Sequence, residues 1–350
     1  MSAPMFAPLK IGVIGLGRMG QLYAHTLMTQ VAGVQLYAVA ETAEQLRTST
    51  AREFNVPHAT ASAHELLSLP ELQAVVIATP TQTHAELVIA AARAGKAIFC
   101  EKPLALTLAA TQRVLDVVAE TQIPLQVGFM RRFDGAYKKA KALIDAGNIG
   151  RPVTFKSVGR DPFCPRPDYA DPSQSGGLIL DMAIHDFDLA RWLMGSEVER
   201  VSAEGTLLVC EQLKPLGDID NAVVNLRFAS GALGNVEVSR NAFYGYDIRT
   251  EVLGSEGAVT IGAHQYTPVV LLTRNGAQHD TVPYLLERFG DAYRAQIQHF
   301  ADCLRTGKPP SVGGTDALAA TRAYQTSRII TLKAGRRAAK TLREHLGPRQ

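Results

Sequence analysis

The stretch Leu9-Lys10-Ile11-Gly12-Val13-Ile14-Gly15-Leu16-Gly17-Arg18-Met19-Gly20 decides the fold of the first part of this chain. Its apolar start predicts a buried strand from Leu9 to Ile14, and the glycines predict a turn into a helix that runs to about Val31. In such a unit the first glycine makes the tight turn, the second lets the backbone approach a pyrophosphate, and the third lets the helix pack on the sheet. Free N–H groups at the helix start favour anions. We therefore predict that this region binds a dinucleotide.

A second predicted strand, Val34 to Ala40, ends at an acidic residue, Glu41. In nucleotide-binding folds an acid at this place accepts hydrogen bonds from the adenosine ribose hydroxyls, and its charge repels a 2′-phosphate. Glu41 therefore favours NAD as the cofactor. Arg18, inside the glycine loop, could instead stack on adenine or pair with a 2′-phosphate, which leaves NADP as a weaker alternative.

Strands and helices alternate through the first third of the chain, which predicts a doubly wound parallel sheet. Ala74 to Thr79 is an apolar strand stopped by Pro80, the next helix starts around Thr81–His84, and Ala97 to Cys100 is a further strand. Ligands of open α/β sheets bind beyond the carboxyl ends of the strands. The residues expected to bind the cofactor are Gly15, Gly17, Arg18, Met19, Gly20, Glu41, Thr79, Pro80, Thr81, His84, Glu101 and Lys102.

The tripeptide Glu101-Lys102-Pro103 directly follows the strand that ends at Cys100. A lysine in a cleft beside a nicotinamide can lower the pKa of a substrate hydroxyl by hydrogen bonding and by its positive charge. Pro103 fixes the turn that would aim this lysine. His84 is interpreted as a helix-start residue near the cofactor rather than as a catalyst.

A second polar motif lies in the run Gly176-Gly177-Leu178-Ile179-Leu180-Asp181-Met182-Ala183-Ile184-His185-Asp186-Phe187-Asp188. At about 100° per residue, Asp181, His185 and Asp188 fall within roughly 60° of one another, and the other sides of this helix are apolar. A helix that is apolar almost all round is normally buried, so the polar stripe must face a partner, a ligand or water in a cleft. A carboxylate one turn before a histidine can hold its ring and favour its charged form, as in a general base. The alternative is a structural pair joining two layers of the core, and Asp186 and Asp188 could equally be structural.

The second half of the chain predicts a different architecture. Short strands separated by turns indicate a separate antiparallel sheet, and the border between the two domains is expected close to Gly128. The predicted strands are Val153–Val158, Val198–Leu208, Asn221–Phe228, Gly234–Ser239, Ile248–Leu253 and Ala258–Ile261, and the predicted helices are Tyr137–Ala146, Glu287–Leu304 and Thr315–Leu332.

Composition limits the classes of partner. With 36 Lys and Arg against 33 Asp and Glu in 350 residues, the net charge of +3 gives no electrostatic reason to expect nucleic acid or an anionic membrane. No apolar run reaches membrane length, and residues 1–8 lack the basic-then-apolar order of a secretory signal, which favours the cytoplasm. The four cysteines, Cys100, Cys164, Cys210 and Cys303, have no paired spacing. We therefore expect reduced thiols, with neither a zinc site nor a disulfide framework.

Taken together, the motifs resemble the Gfo/Idh/MocA oxidoreductase family over nearly the whole chain. They are the glycine loop, Ala78-Thr79-Pro80 with His84, Glu101-Lys102-Pro103, and Gly176-Gly177 followed by Asp181 and His185. Within the family the chain most resembles inositol 2-dehydrogenases, through Gln126–Asp134 and Asn241–Asp247. The resemblance implies an α/β fold with a Rossmann NAD-binding domain (1–127). It further implies an α+β substrate-binding and oligomerisation domain (128–350) whose open, mostly antiparallel sheet builds homodimers or homotetramers.

The resemblance also implies the reaction: oxidation of a secondary hydroxyl of myo- or scyllo-inositol to the ketone, with hydride passing to NAD. Lys102, Asp181 and His185 would be the catalytic residues. His185 would accept the hydroxyl proton, Asp181 would orient its ring, and Lys102 would stabilise the developing alkoxide, so that no metal is required. The expected substrate-binding residues are Lys102, Arg131, Arg132, Asp161, Asp168, Asp181, His185, Tyr244 and Tyr246. For each arginine an interdomain salt bridge is an equal alternative, and only one of the two tyrosines is expected to face the cleft.

Two other functions stay open at this point. An aldose 1-dehydrogenase, giving a lactone from a pyranose such as an inositol-like L-sugar, would use the same three residues on a similar ring of hydroxyls. A non-catalytic NAD-sensing protein is disfavoured, because a sensor has no need of the lysine, aspartate and histidine. The basic end, Lys333 to Gln350, suggests a frayed helix or tail without evident function.

Overall fold

A computed structural model describes residues 7–327, and the chain divides into two compact units. One unit comprises the described chain up to Asp134 together with Gly290–Leu318. The other comprises Gly135–Phe289 and the described chain from Ala319. Residues 290–318 thus belong with the first unit, although they lie late in the sequence. The predicted division into 1–127 and 128–350 places them in the second domain.

The first unit contains a six-stranded sheet. Its strands are β1 (Leu9–Ile14), β2 (Val34–Ala40), β3 (His58–Thr60), β4 (Ala74–Ile77), β5 (Ala97–Cys100) and β6 (Leu125–Val127). The spatial order is β3-β2-β1-β4-β5-β6, and all neighbouring pairs are parallel. This is the Rossmann order, in which the direction of winding reverses between β1 and β4. The predicted doubly wound sheet is confirmed.

Helices connect these parallel strands. They are α1 (Arg18–Thr29), α2 (Glu44–Glu53), α3 (Ala63–Leu67), α4 (His84–Arg93) and α5 (Leu108–Thr121). All four residues of β4 and all four of β5 are buried. Helices on both faces of a parallel sheet have this effect, and it explains why these strands are continuous apolar runs in the sequence.

The second unit contains a mixed six-stranded sheet. Its strands are β7 (Pro152–Arg160), β8 (Val198–Thr206), β9 (Asn221–Phe228), β10 (Leu233–Ser239), β11 (Asp247–Gly254) and β12 (Ala258–Ile261). In the order β12-β11-β7-β10-β9-β8, the pair β7–β10 is parallel and the other four pairs are antiparallel. Ala222, Val224, Leu226 and Phe228 are buried along β9 while the residues between them are not, so one face of this sheet covers the core. The predicted, mostly antiparallel sheet is confirmed.

The helices of the second unit include an irregular one. They are α6 (Gly135–Asp145), α7 (Pro167–Ala170), α8 (Pro172–Ser175) and α9 (Ile184–Met194). Residues Ile179–Ala183, immediately before α9, form a π-helical turn. The sequence predicts one regular helix here, and this prediction is wrong at the turn that carries Asp181. Such π turns occur frequently at functional sites, because the extra residue changes which side chains share a face.

The second unit contains a β-hairpin that the sequence analysis does not predict. Strands β13 (Gln265–Thr273) and β14 (Gly276–Thr281) pair antiparallel as a two-stranded sheet of their own. Pro268 within the first strand and the polar second strand obscure the alternation on which a strand prediction rests. Val269 and Leu272 on this hairpin are exposed.

The chain returns to the first unit along helix α10 (Leu285–Thr306). There the ring of Phe300 lies 6.0 Å from that of Phe99, centroid to centroid, and Arg305 donates to the carbonyl of Ala32. Residues 314–327 are helical, as predicted for the start of the last helix. The rest of that prediction and the basic tail lie outside the described residues. Between residues 7 and 327, no helix is both long enough and apolar enough to cross a bilayer.

The cysteines require a correction. Cys164 and Cys210 form a disulfide, with Cα atoms 5.5 Å apart, so the expectation of four reduced thiols is wrong for this pair. A sequence separation of 46 residues gave no spacing signal. The two segments meet in a small apolar cluster of Ala170, Cys210 and Leu213. Cys100 and Cys303 are free, as expected, and both are buried.

This pairing predicts the number of titratable thiols. Under denaturing, non-reducing conditions, a thiol reagent should detect Cys100 and Cys303 alone, two thiols per chain, and all four after reduction. Cys164→Ser is the matched control, because it releases the thiol of Cys210 and should raise the unreduced count to three. Four thiols in the unreduced, unmodified protein would contradict the disulfide.

Candidate functional site

The glycine loop of the first unit has the geometry that its sequence predicts. Gly15 has a φ of +86°, and a Cβ there would lie 2.7 Å from Cγ2 of Thr79. A Cβ on Gly20 would collide with the carbonyl oxygen of Gly15. Among the described residues, by contrast, nothing lies within 4 Å of a Cβ on Gly17. The outer glycines therefore close the turn and the helix contact, while the middle one borders open space that a pyrophosphate could enter.

Glu41 lies at the end of β2, against this loop. Its carboxylate accepts hydrogen bonds from the backbone N–H of Leu16 at 2.7 Å and of Ala43 at 3.0 Å. Partial burial opposes ionisation, but these N–H groups hold the pKa of Glu41 below its usual value. An ionised carboxylate beside the open glycine fits the adenosine ribose of NAD. Arg18, in the first turn of α1, is exposed, and Met19 is half-buried.

Thr79, Pro80 and Thr81 follow β4, next to the same loop. The hydroxyl of Thr83 donates to that of Thr79 at 2.7 Å. The buried ring of His84 has Nδ1 2.8 Å from the carbonyl oxygen of Pro103 and Nε2 2.9 Å from that of Thr79. Burial lowers the pKa of His84, and a neutral ring carries one N–H, so it donates to one of these carbonyls at a time. Its ring thus braces the loop after β4 against the loop after β5.

Glu101 and Lys102 follow β5. The carboxylate of Glu101 is buried, receives the hydroxyl of Tyr23, and accepts from the backbone N–H of Lys102 at 3.0 Å. Burial raises the pKa of Glu101, against the opposing effects of Tyr23 and of the Lys102 charge. The Lys102–Pro103 peptide is cis, and Lys102 is half-buried. In the first unit the structure thus brings the predicted cofactor-binding residues to the carboxyl edge of the parallel sheet.

The two candidate arginines lie in a short 3-10 helix, Met130–Phe133, after β6. Both are buried. Arg132 donates to Asp316 at 2.8 Å, and Asp316 in turn accepts from the backbone N–H of Gly313 at 3.0 Å. Arg132 therefore forms a salt bridge within the first unit, and not the interdomain salt bridge that the sequence left as an alternative. A substrate role for Arg131 and Arg132 stays a prediction.

In the second unit, Asp181 is held by an arginine. Its Oδ2 accepts from Nη2 of Arg240 at 3.2 Å, and its Oδ1 accepts from the hydroxyl of Tyr169 at 3.4 Å. Nη1 of the same arginine donates to Oδ2 of Asp218 at 3.3 Å. The side chain of Arg240 is 1% exposed, that of Asp218 7% and that of Asp181 14%. One buried cation therefore bridges two nearly buried carboxylates.

Asp218 explains the paired glycines that precede Asp181. Its carboxylate accepts from the backbone N–H of Leu178 at 3.2 Å. Gly177 has a φ of +78°, and a Cβ there would lie 2.6 Å from Oδ1 of Asp218, while a Cβ on Gly176 would collide with Leu180. The left-handed backbone and the lack of a Cβ let the chain pass under this carboxylate into the π turn.

His185 lies in the first turn of α9 and is buried, as are Asp186 and Asp188. His185 and Asp188 share a face of this regular helix, whereas Asp181 lies in the π turn, where the predicted 100° spacing does not apply. The hydroxyl of Ser157 on β7 donates to Asp186. This bond joins the helix to the sheet and accords with the structural alternative for Asp186.

The remaining predicted substrate residues lie in the second unit, with Asp168 on α7 and the others on loops. Asp161 follows β7, where its backbone N–H donates to the carbonyl of Ser239 at 2.9 Å. Asp168 is exposed and pairs with Arg166 at 3.2 Å. The hydroxyl of Tyr244 donates to Asp247 at 2.7 Å and accepts from Arg160 at 2.8 Å, whereas Tyr246 packs against other aromatic rings. These residues stay candidates for substrate binding.

Sequence reasoning missed Arg240, Asp218 and Tyr169 as neighbours of Asp181. They lie 59, 37 and 12 residues from it in the chain, so no local spacing connects them. The available signal was weak: Arg240 directly precedes Asn241–Asp247, the segment already quoted for its resemblance. In the described part of the chain, no group of three or more His, Cys, Asp or Glu side chains is placed to hold a metal ion.

Comparisons with known proteins agree with this architecture. The family model for the NAD-binding Rossmann fold of an oxidoreductase family matches residues 9–129, and that for the GFO/IDH/MocA C-terminal domain matches residues 137–260. The scyllo-inositol 2-dehydrogenase (NAD(+)) of Bacillus subtilis is 40% identical over 93% of this chain and 96% of its own. The myo-inositol 2-dehydrogenase of Thermotoga maritima is 43% identical over 88% and 92%.

A solved structure is similar over the same extent. The scyllo-inositol dehydrogenase from Lactobacillus casei, with bound cofactor NAD(H) and scyllo-inositol, superposes with a TM-score of 0.89. It is 29% identical in sequence, and the match covers 93% of this chain and 98% of that one. By its two domain matches and by its relatives along nearly its whole length, this chain belongs to the Gfo/Idh/MocA family, oxidoreductases with an NAD-binding Rossmann domain.

Proposed function

We propose that this protein is an NAD-dependent dehydrogenase that oxidises a secondary hydroxyl of a cyclitol, myo- or scyllo-inositol, to the ketone. One observation carries the proposal. The chain keeps Lys102, Asp181 and His185 of the family's motifs while matching proteins named for this reaction over about nine tenths of its length. A Rossmann unit with an open middle glycine and an ionised Glu41 supports NAD as the cofactor.

The proposed chemistry removes a hydride from the carbinol carbon and a proton from its hydroxyl, and each goes to a different acceptor. When bound, NAD supplies the acceptor for the hydride that leaves the carbinol carbon. His185 takes the hydroxyl proton, and Asp181 orients the ring and favours its protonated form. Lys102 donates to the oxygen and stabilises its negative charge as it develops. The burial of His185 keeps water from competing for these hydrogen bonds.

We further infer that the first domain holds NAD and the second holds the polyol and builds a homodimer or homotetramer through its sheet. Support for the assembly comes from exposed apolar side chains at Val223, Leu233 and Leu253 on that sheet. The proposed location is the cytoplasm. The Cys164–Cys210 disulfide counts against it, because structural disulfides are rare in reducing compartments.

The substrate is tested by initial rates of NADH formation on myo-inositol, scyllo-inositol and a panel of aldoses. The highest kcat/KM is expected on an inositol, because a site built to hydrogen-bond every ring hydroxyl rejects rings with misplaced ones by large factors. A preference for an aldose would replace the proposal with an aldose 1-dehydrogenase. No turnover on any polyol, with NAD still bound, would favour a sensor.

Lys102→Ala and His185→Ala should each lower kcat by about 10²- to 10⁴-fold, the range of a lost acid–base or charge-stabilising group. NAD affinity, measured by calorimetry, should change little. Lys141→Ala removes a lysine from a surface pair with Asp145 and serves as the control, with kcat unchanged. Rates like those of the unmodified protein in either catalytic variant would remove that residue from the mechanism.

Glu41→Ser should reduce discrimination against NADP, because it removes the carboxylate that would repel a 2′-phosphate. The measurement is the ratio of kcat/KM with NAD to that with NADP. Glu44→Ser, on the exposed start of α2, is the matched control and should leave the ratio unchanged. An unaltered ratio in Glu41→Ser would refute the ribose role of Glu41.

A further inference from the structure

The buried Arg240 of the second unit is not among the three residues of the proposed chemistry. Arg240 lies just beyond the end of β10, and its backbone N–H donates to the carbonyl of Asp220 at 2.9 Å. Its guanidinium spans from Asp218, next to the paired glycines, to Asp181 in the π turn. A side chain of this size and charge is rarely buried to 99% unless its hydrogen bonds are needed where it lies.

The geometry distinguishes this arginine from a surface ion pair. Its two terminal nitrogens go to two different carboxylates, at 3.2 Å and 3.3 Å, so the planar fork fixes the direction of both bonds. The positive charge offsets the repulsion between Asp181 and Asp218. Asp181 thereby has its carboxylate direction set from one side by Arg240 and from the other by the hydroxyl of Tyr169.

Asp218 connects this pair to the backbone. It accepts the N–H of Leu178, the residue that immediately precedes the π turn. Burial raises the pKa of Asp218, an effect that the Arg240 charge and the Leu178 N–H oppose. Arg240 and Asp218 together therefore tie the start of the π turn to the carboxylate in its middle.

We infer that Arg240 is a positioning residue for the dehydrogenation: it fixes the direction of the Asp181 carboxylate, and Asp218 holds Arg240 in place. The inference rests on the proposed function, in which Asp181 orients the ring of His185. Arg240 acts through Asp181 and touches neither substrate nor cofactor in this role. It sets how often the acid–base pair is ready to react, which affects kcat rather than cofactor binding.

Four variants separate positioning from folding. Arg240→Met keeps much of the buried volume but removes charge and donors, whereas Arg240→Lys keeps the charge with a single donor group. Arg240→Ala leaves a space for a guanidinium ion from solution. Arg191→Met is the control, because it removes a bidentate ion pair with Glu197 at the far end of α9.

The measurements are kcat and KM for inositol and for NAD, with unfolding followed by circular dichroism. Arg240→Met should lower kcat by about 100-fold, the effect of a misplaced catalytic group, while KM for NAD stays within about twofold. Arg240→Lys should retain an intermediate rate. Guanidinium chloride at low millimolar concentration should raise the rate of Arg240→Ala but not that of Arg191→Met.

A folded Arg240→Met protein with an unchanged kcat would overturn the inference. So would equal losses in the methionine and lysine variants together with no guanidinium rescue, since these would indicate a packing role. A crystal structure of Arg240→Met gives a test that does not depend on turnover: the Asp181 carboxylate should leave its present direction, and an unmoved carboxylate would overturn the inference. Inactivity of the unmodified protein on every polyol would contradict the proposed function alone. The crystal structure of Arg240→Met would then still test whether Arg240 positions the Asp181 carboxylate.

Discussion

Two nearly buried carboxylates close to one another, Asp181 and Asp218, set the main constraint on the second unit. A carboxylate that loses its hydration must be paired, and two of them repel each other. Arg240 meets both requirements with one guanidinium, and removing one partner of such a buried group typically costs about 3–5 kcal/mol. Arg240 can contact both carboxylates only if three segments lie close together. These are the paired glycines, the π turn and the loop after β10.

The same constraint explains why the Asp181 motif is readable in the sequence while its supports are not. Gly176-Gly177 and Asp181 are close in the chain, so their spacing is a local signal. Arg240 lies 59 residues after Asp181, beyond the end of a strand. It comes close to Asp181 only through the order of strands in the folded sheet, which local spacing does not reveal. A regular helical wheel places Asp181 on the same face as His185, because no residue in this run indicates a π turn.

The first unit was predictable for the opposite reason. Its parallel strands are short, β4 and β5 are wholly apolar, and its glycine loop lies within six residues, Gly15 to Gly20. Every requirement there is local: a turn at Gly15, an open position at Gly17, a close contact at Gly20. The features missed elsewhere, the Cys164–Cys210 disulfide and the hairpin of β13 and β14, depend on distant pairing or on a strand whose pattern a proline obscures.

The two predicted halves of the chemistry are supported in different ways by their surroundings. On the first unit, Lys102 follows a buried Glu101 and precedes Pro103, whose carbonyl meets the ring of His84, so it is backbone and side-chain hydrogen bonds that hold its loop. On the second, Asp181 is held mainly by charge, through Arg240. Backbone bonds tolerate changes in pH and salt, whereas a paired carboxylate depends on its partner's charge and on burial from water. The orientation of Asp181 therefore depends on a side chain that lies 59 residues away in the sequence.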